Sequence, residues 1–157
     1  ELKYVDGVQR VFANGEGVSD LIRTPAISMA ASAVSAIPAV RNYLLNTQRS
    51  IAAANSVVMD GRDIGTVILP DAKVKIFLTA SPESRARRRY DELQAKGDPA
   101  TYEEVLSDMI KRDYDDSHRA TAPLKQADDA VLVDTSGDTL EQSVARIKAV
   151  VLEKLAE

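Results

Sequence analysis

The chain has 157 residues, a formal charge of −4, a pI near 5.1, and 45% hydrophobic and 28% charged residues, proportions that suit one compact unit of ordinary size. It contains no cysteine, which excludes a disulfide framework and any cysteine-ligated metal. No apolar run approaches bilayer-spanning length, no secretory signal pattern opens the chain, and the acidic balance argues against general nucleic-acid binding, so any anion it binds must be held by a local cluster of arginines.

Residues 1 to about 23 alternate in the manner of short strands, with Asp6-Gly7 as a hairpin turn and Asn14-Gly15-Glu16-Gly17 as a second turn. Thr24-Pro25 opens a first helix rich in Ala and Ser. Ile37-Pro38 opens another, with Val40, Tyr43, Leu44, Thr47 and Ile51 at helical spacing. Val57, Val58 and Met59 read as a short buried parallel strand. That strand feeds the turn Asp60-Gly61-Arg62-Asp63-Ile64-Gly65-Thr66, in which the two glycines let the backbone bend sharply without a Cβ penalty. Such a position, just after a strand, is where α/β enzymes keep ligand-binding residues. Arg62 can grip a phosphate or carboxylate bidentately, and Asp63 can accept hydrogen bonds from an amine or hydroxyl. Taken alone, the motif fits a surface loop with a local ion pair equally well.

Val74 to Leu78 form a second buried strand, followed by a helix with Ser81 as N-cap and Pro82 at its first position. Twelve of the 20 basic residues are Arg, and Arg85, Arg87, Arg88 and Arg89 crowd this one helix. Arg85 shares a face with Arg88 and Arg89, which suits a phosphate-facing role; a solvated face paired with acids is the competing explanation and suffices for Arg87. After a break at Lys96-Gly97-Asp98-Pro99, Thr101 and Glu104 make a capping box, and Val105, Leu106, Met109 and Ile110 form the apolar stripe of the next helix. Ala130 to Val133 supply a third strand. The final helix is expected to start at Asp138, with Glu141 three residues on, and to bury Leu140, Val144, Ile147, Val151 and Leu155. Strands alternating with helices predict a parallel α/β sheet, with neither an internal repeat nor a low-complexity linker.

Three separated segments, Asp60 to Ala72, Lys75 to Leu78 and Arg112 to Leu124, resemble bacterial cytidylate kinase in order and spacing, and the resemblance runs from about Val11 to the C-terminus. It implies an α/β fold of the P-loop nucleoside monophosphate kinase type, with a parallel sheet core truncated at the N-terminus and an enlarged α+β monophosphate-binding domain. Residues 1–54 would be the CMP-binding domain, 55–81 and 120–157 the incomplete core, and 82–119 the lid region with its flanking helices. One departure stands out: glycines occur at 7, 15, 17, 61, 65, 97 and 137, and none fits Gly-x-x-x-x-Gly-Lys-Ser/Thr. Compared with the family, roughly seventy N-terminal residues are absent, comprising the phosphate-loop strand and helix and the next strand. The chain is therefore expected to be a piece of a longer enzyme, inactive by itself and prone to self-association, the complete form being a monomer.

The resemblance implies phosphoryl transfer from ATP, with Mg2+, to CMP or dCMP in the cytoplasm, with no nucleic-acid or membrane partner. Ser32, Arg41 and Asp63 would recognise the cytosine base: an acid accepts from N4 and an arginine donates to the ring acceptors, a pattern that uracil reverses. Arg62 and Arg119 would clamp the phosphate of the monophosphate, Asp116 with Arg112 beside it would contact the ribose, and Arg85, Arg88 and Arg89 would belong to a lid over the transferring phosphoryl group. Asp60 either holds magnesium through water or stabilises the turn. His118 is best explained as solvated or capping, and Arg23 suits the base-binding face and the surface equally. Two alternatives stay open: another small-molecule kinase of the same fold, or a non-catalytic module that binds pyrimidine nucleotides.

Overall fold

The computed structural model describes residues 1–22 and 24–157, so Arg23 lies outside the described residues. The chain divides into two compact units, Glu1–Thr47 and Gln48–Glu157. In the first, β1 (Leu2–Val5) pairs antiparallel with β2 (Val8–Ala13) from Leu2 opposite Val11 to Val5 opposite Val8, and β2 pairs with the short β3 (Glu16–Gly17). Both hairpin loops have two residues with positive φ, at 51° and 77° for Asp6 and Gly7 and at 51° and 86° for Asn14 and Gly15. Only residues that tolerate the left-handed region make that turn, and its twist matches the strands. Helix α1 (Pro25–Ser35) begins with the Thr24 hydroxyl accepting from the Ile27 amide at 3.3 Å. Helix α2 (Pro38–Ala54) follows, and its residues 48–54 belong to the second unit. Its expected apolar stripe is not buried; Tyr43, for example, is 76% exposed.

The second unit is the α/β part. Its strands β4 (Ile76–Thr79) and β5 (Val131–Asp134) run parallel, from Ile76 beside Val131 to Thr79 beside Asp134. They start two residues and one residue later than the apolar runs suggest, and Leu78 is exposed rather than buried. The strand expected at Val57–Met59 does not form, and Val58 is fully exposed. A strand exists only as one of a pair, and neither β4 nor β5 pairs with these residues.

Helices α3 (Pro82–Ala95) and α4 (Tyr102–His118) lie between the two strands in sequence. Ala86, Leu93 and Val105 form the buried cluster that joins them, with Tyr102, Leu106 and Met109 packed alongside. Leu93, late in α3, meets residues early in α4, whereas Arg85, early in α3, meets Asp113, late in α4; the helices are therefore antiparallel. The cap of α5 (Leu140–Ala156) is Thr139 with Gln142, one residue beyond the expected Asp138 and Glu141. Asp138 is otherwise engaged, its carboxylate by Arg146 at 2.8 Å and its carbonyl by Arg88 at 3.2 Å. The face of α5 expected to be buried is mostly open, with Leu140, Val144 and Leu155 exposed and only Ile147 and Val151 half-covered.

Candidate active site

After Asp60 the chain enters one turn of π-helix, Ile64–Ile68, an element with no compositional signature. The Asp63 carbonyl accepts from the amides of both Val67 (2.9 Å) and Ile68 (3.2 Å), and the Ile64 carbonyl accepts from Leu69 at 2.7 Å. The two glycines serve packing rather than backbone freedom, since positive φ occurs at Gly7, Gly15, Gly97 and Gly137 and not at Gly61 or Gly65. A Cβ on Gly61 would lie 2.9 Å from Ile64 Cγ1, and one on Gly65 would lie 3.3 Å from Lys75 Cδ. The two glycines pack closely against this wide turn, and Arg62 and Asp63 stand at its mouth.

Around that mouth five charged side chains converge. The carboxylate of Asp116, buried on α4, accepts from Arg62 Nε at 2.9 Å and also faces Arg112 Nε at 3.8 Å and Arg119 Nη1 at 3.9 Å. Arg119 Nη2 lies 3.8 Å from Oδ1 of Asp63, which is also buried. Three guanidinium groups and two carboxylates leave this cluster one positive charge in excess. Arg119 is fixed from behind by its Nε, which donates to the Ala122 carbonyl at 2.6 Å, and Ala122 holds a left-handed φ of 49° just before Pro123. Its Nη2 is buried without a hydrogen-bond partner, so a charged donor points into the cluster with an acceptor still to be met.

Beside the cluster a cleft of about 510 Å³ is lined by Asp60, Arg62, Arg85, Arg88, Lys75 and Lys125 among polar residues, with Met59, Ile76 and Phe77 among apolar ones. Arg85 is held three ways, by a fork onto Asp113 (2.9 and 2.5 Å) and by Nε to the Ala80 carbonyl (2.9 Å). That hydrogen-bonded carboxylate raises the already high pKa of Arg85, keeping it cationic. Arg88 donates to the carbonyls of Thr135 (2.5 Å) and Asp138, while Arg89 lines no part of the cleft and pairs with Glu92 at 3.2 Å. Lys75, nearly buried, meets Asp129 at 2.5 Å and the Pro70 carbonyl. Asp113 and Lys75 were not among the residues singled out from sequence, because their partners lie 28 and 54 positions away and leave no local pattern.

Ser32 and Arg41 belong to the first unit, where both meet Ser35: Arg41 Nη1 donates to its carbonyl at 3.1 Å, and its hydroxyl donates to the Ser32 carbonyl at 2.8 Å. His118 stacks on Tyr114 with ring centroids 4.0 Å apart and sits 2.9 Å from the Tyr114 carbonyl. Among the described residues no group of three or more acids and histidines could hold a metal by itself. No described helix is long and apolar enough to cross a membrane.

A family model described as cytidylate kinase matches residues 1–153. Among curated proteins, the cytidylate kinase of Carboxydothermus hydrogenoformans is 51% identical over 149 residues, covering 95% of this chain and 67% of the relative. That of Thermosipho melanesiensis is 52% identical over 154 residues, covering 98% and 71%. That of Caldanaerobacter subterraneus subsp. tengcongensis is 56% identical over 143 residues, covering 91% and 63%. The chain thus spans about two thirds of the length of these relatives.

Proposed function

The chain belongs to the cytidylate kinase family, and from that premise we propose that its second unit carries the phosphate-binding half of an enzyme that transfers a phosphoryl group from ATP to CMP or dCMP, giving ADP and CDP or dCDP. The observation that carries the proposal is the cluster on Asp116. Three guanidinium groups meet there with an excess positive charge, and a buried Arg119 N–H lacks an acceptor, which an anionic phosphate oxygen would provide. Arg62 and Arg119 clamp the monophosphate. Asp116 holds those arginines in place and, with Arg112, reaches the ribose. Arg85, Arg88 and Arg89 form the cationic lid, and residues 1–54, 55–81 with 120–157, and 82–119 act as monophosphate-binding, core and lid segments.

The acceptor phosphate itself attacks in line, so the protein need provide no nucleophile; it positions the acceptor and neutralises charge. Bound ATP supplies the phosphoryl group and Mg2+ its charge neutralisation, with Asp60 the carboxylate on the cleft wall that would hold the ion through water. The triphosphate-cradling Gly-x-x-x-x-Gly-Lys-Ser/Thr sequence is not among these 157 residues, so we assign them the acceptor side of the reaction and no turnover by themselves. We further assign a cytoplasmic location and no nucleic-acid partner. Ser32, Arg41 and Asp63 are the proposed base contacts, and Asp63→Ala tests them. Isothermal titration should show it weakening CMP by about 1–3 kcal/mol while UMP changes little, because the lost acceptor faces the cytosine amine. An unchanged preference for CMP over UMP would remove Asp63 from the base edge.

A further inference from the structure

We propose that Arg49 is a positioning residue for the nucleotide-recognising turn, its guanidinium fork fixing the backbone on which Asp63 is set. The proposal rests on the functional assignment above, that Arg62 and Asp63 meet CMP. Arg49 lies on the second-unit end of α2 and donates through Nε to the Ile68 carbonyl at 3.0 Å and through Nη2 to the Val67 carbonyl at 2.8 Å. The amides of these same two residues donate to the Asp63 carbonyl, at 2.9 Å from Val67 and 3.2 Å from Ile68. Val67 and Ile68 are therefore held on both sides, by Arg49 at their carbonyls and by Asp63 at their amides.

The need for such a grip follows from the element. A single π turn closes few bonds, and the carbonyls at its end have no onward helical partners. Pro70, two residues beyond Ile68, has no N–H to give them. A guanidinium supplies two donors in a fixed plane and a positive charge at the negative end of the turn. Lysine would keep the charge but could not span two carbonyls with the same rigid geometry. Without the fork the turn can relax, and with it both of the amide hydrogen bonds that orient the Asp63 backbone. Arg49 is not itself assigned to the nucleotide; it acts through Val67 and Ile68.

The test compares the 157-residue chain with its Arg49→Met and Arg49→Lys variants by site-resolved amide exchange and by isothermal titration with CMP and UMP. In Arg49→Met, exchange at Val67 and Ile68 should rise about tenfold, as expected for a locally loosened turn. CMP should bind about tenfold more weakly, with a narrowed preference over UMP, in keeping with the loss of two charge-assisted hydrogen bonds. Arg49→Lys should restore neither quantity, which separates the fork from a simple charge effect. Unchanged exchange at Val67 and Ile68, or full rescue by lysine, overturns the proposal with the functional assignment intact. A parent chain that binds no CMP overturns it through the assignment on which it rests.

Discussion

One carboxylate, Asp116, faces three guanidinium groups, so a protein anion already sits where the arginines meet. Asp116 offsets repulsion that the arginines would otherwise exert on one another in the absence of nucleotide. Removing its charge should show both effects. Asp116→Asn should cost about 1–3 kcal/mol, less than for a wholly buried pair because Arg62 and Arg112 remain partly exposed. Added phosphate should then recover more stability in the variant than in the parent, since it replaces the missing anion. Denaturant midpoints with and without phosphate measure this, and equal gains for both proteins would mean that the ion does not enter the cluster. The roles of Arg112, Asp116 and Arg119 come only from the family resemblance; their spacing, that of neighbours on a helix, could be read from sequence. Arg49 could not, because a side chain that bonds to distant backbone carbonyls leaves no residue pattern at either end.

Elements were legible where their own ends carry the signal. The starts of α1, α3 and α4 follow from Thr24, Ser81 and Thr101, whose hydroxyls accept amides three residues on. Val57–Met59 has the apolar character of a strand but no pairing partner among the described residues, because apolar character favours burial and supplies no pairing strand. The π turn was missed because nothing in Ile64-Gly65-Thr66-Val67-Ile68 distinguishes five-residue from four-residue closure. Leu93, nearly buried where α3 meets α4, should cost about 2–3 kcal/mol when changed to Ala, seen as a lower denaturant midpoint. At the start of α4, hydrogen bonds from the Thr101 amide and hydroxyl hold the Glu104 carboxyl below its ordinary pKa. A folded-state pKa below the unfolded one means stabilisation that is present above the unfolded value and lost as pH falls through the folded value. The stability gap between Thr101→Ala and the parent should therefore narrow as pH falls below the ordinary glutamate range and the carboxylate takes up its proton. Thermal melts across that range check it, and a gap independent of pH would show that the carboxylate takes no part in the cap.

Across the whole molecule, apolar surface is left open where the sequence predicts burial. Leu78 on β4, Leu132 on β5 and Leu140, Val144 and Leu155 on α5 are each more than half exposed. The hydrophobic pattern is legible in all three elements, but which faces are covered depends on what packs against them, and that is not written in the pattern. Of the candidate site, Arg62, Asp63, Arg112, Asp116 and Arg119 come from separated segments that the second unit gathers into one charge cluster, and Asp60 lines the cleft beside it. What decides the function of that assembly is whether it holds the phosphate of the nucleotide. Isothermal titration of the 157-residue chain with CMP and with cytidine, each repeated for Arg62→Ala, tests it most directly. CMP should bind the parent more tightly than cytidine, and Arg62→Ala should weaken CMP by about 1.5–3 kcal/mol, the range for a hydrogen bond to a charged group, while leaving cytidine affinity unchanged. Equal affinities of the parent for CMP and cytidine, or CMP affinity unaltered by Arg62→Ala, would contradict the phosphate clamp and leave Arg62 as a structural partner of Asp116.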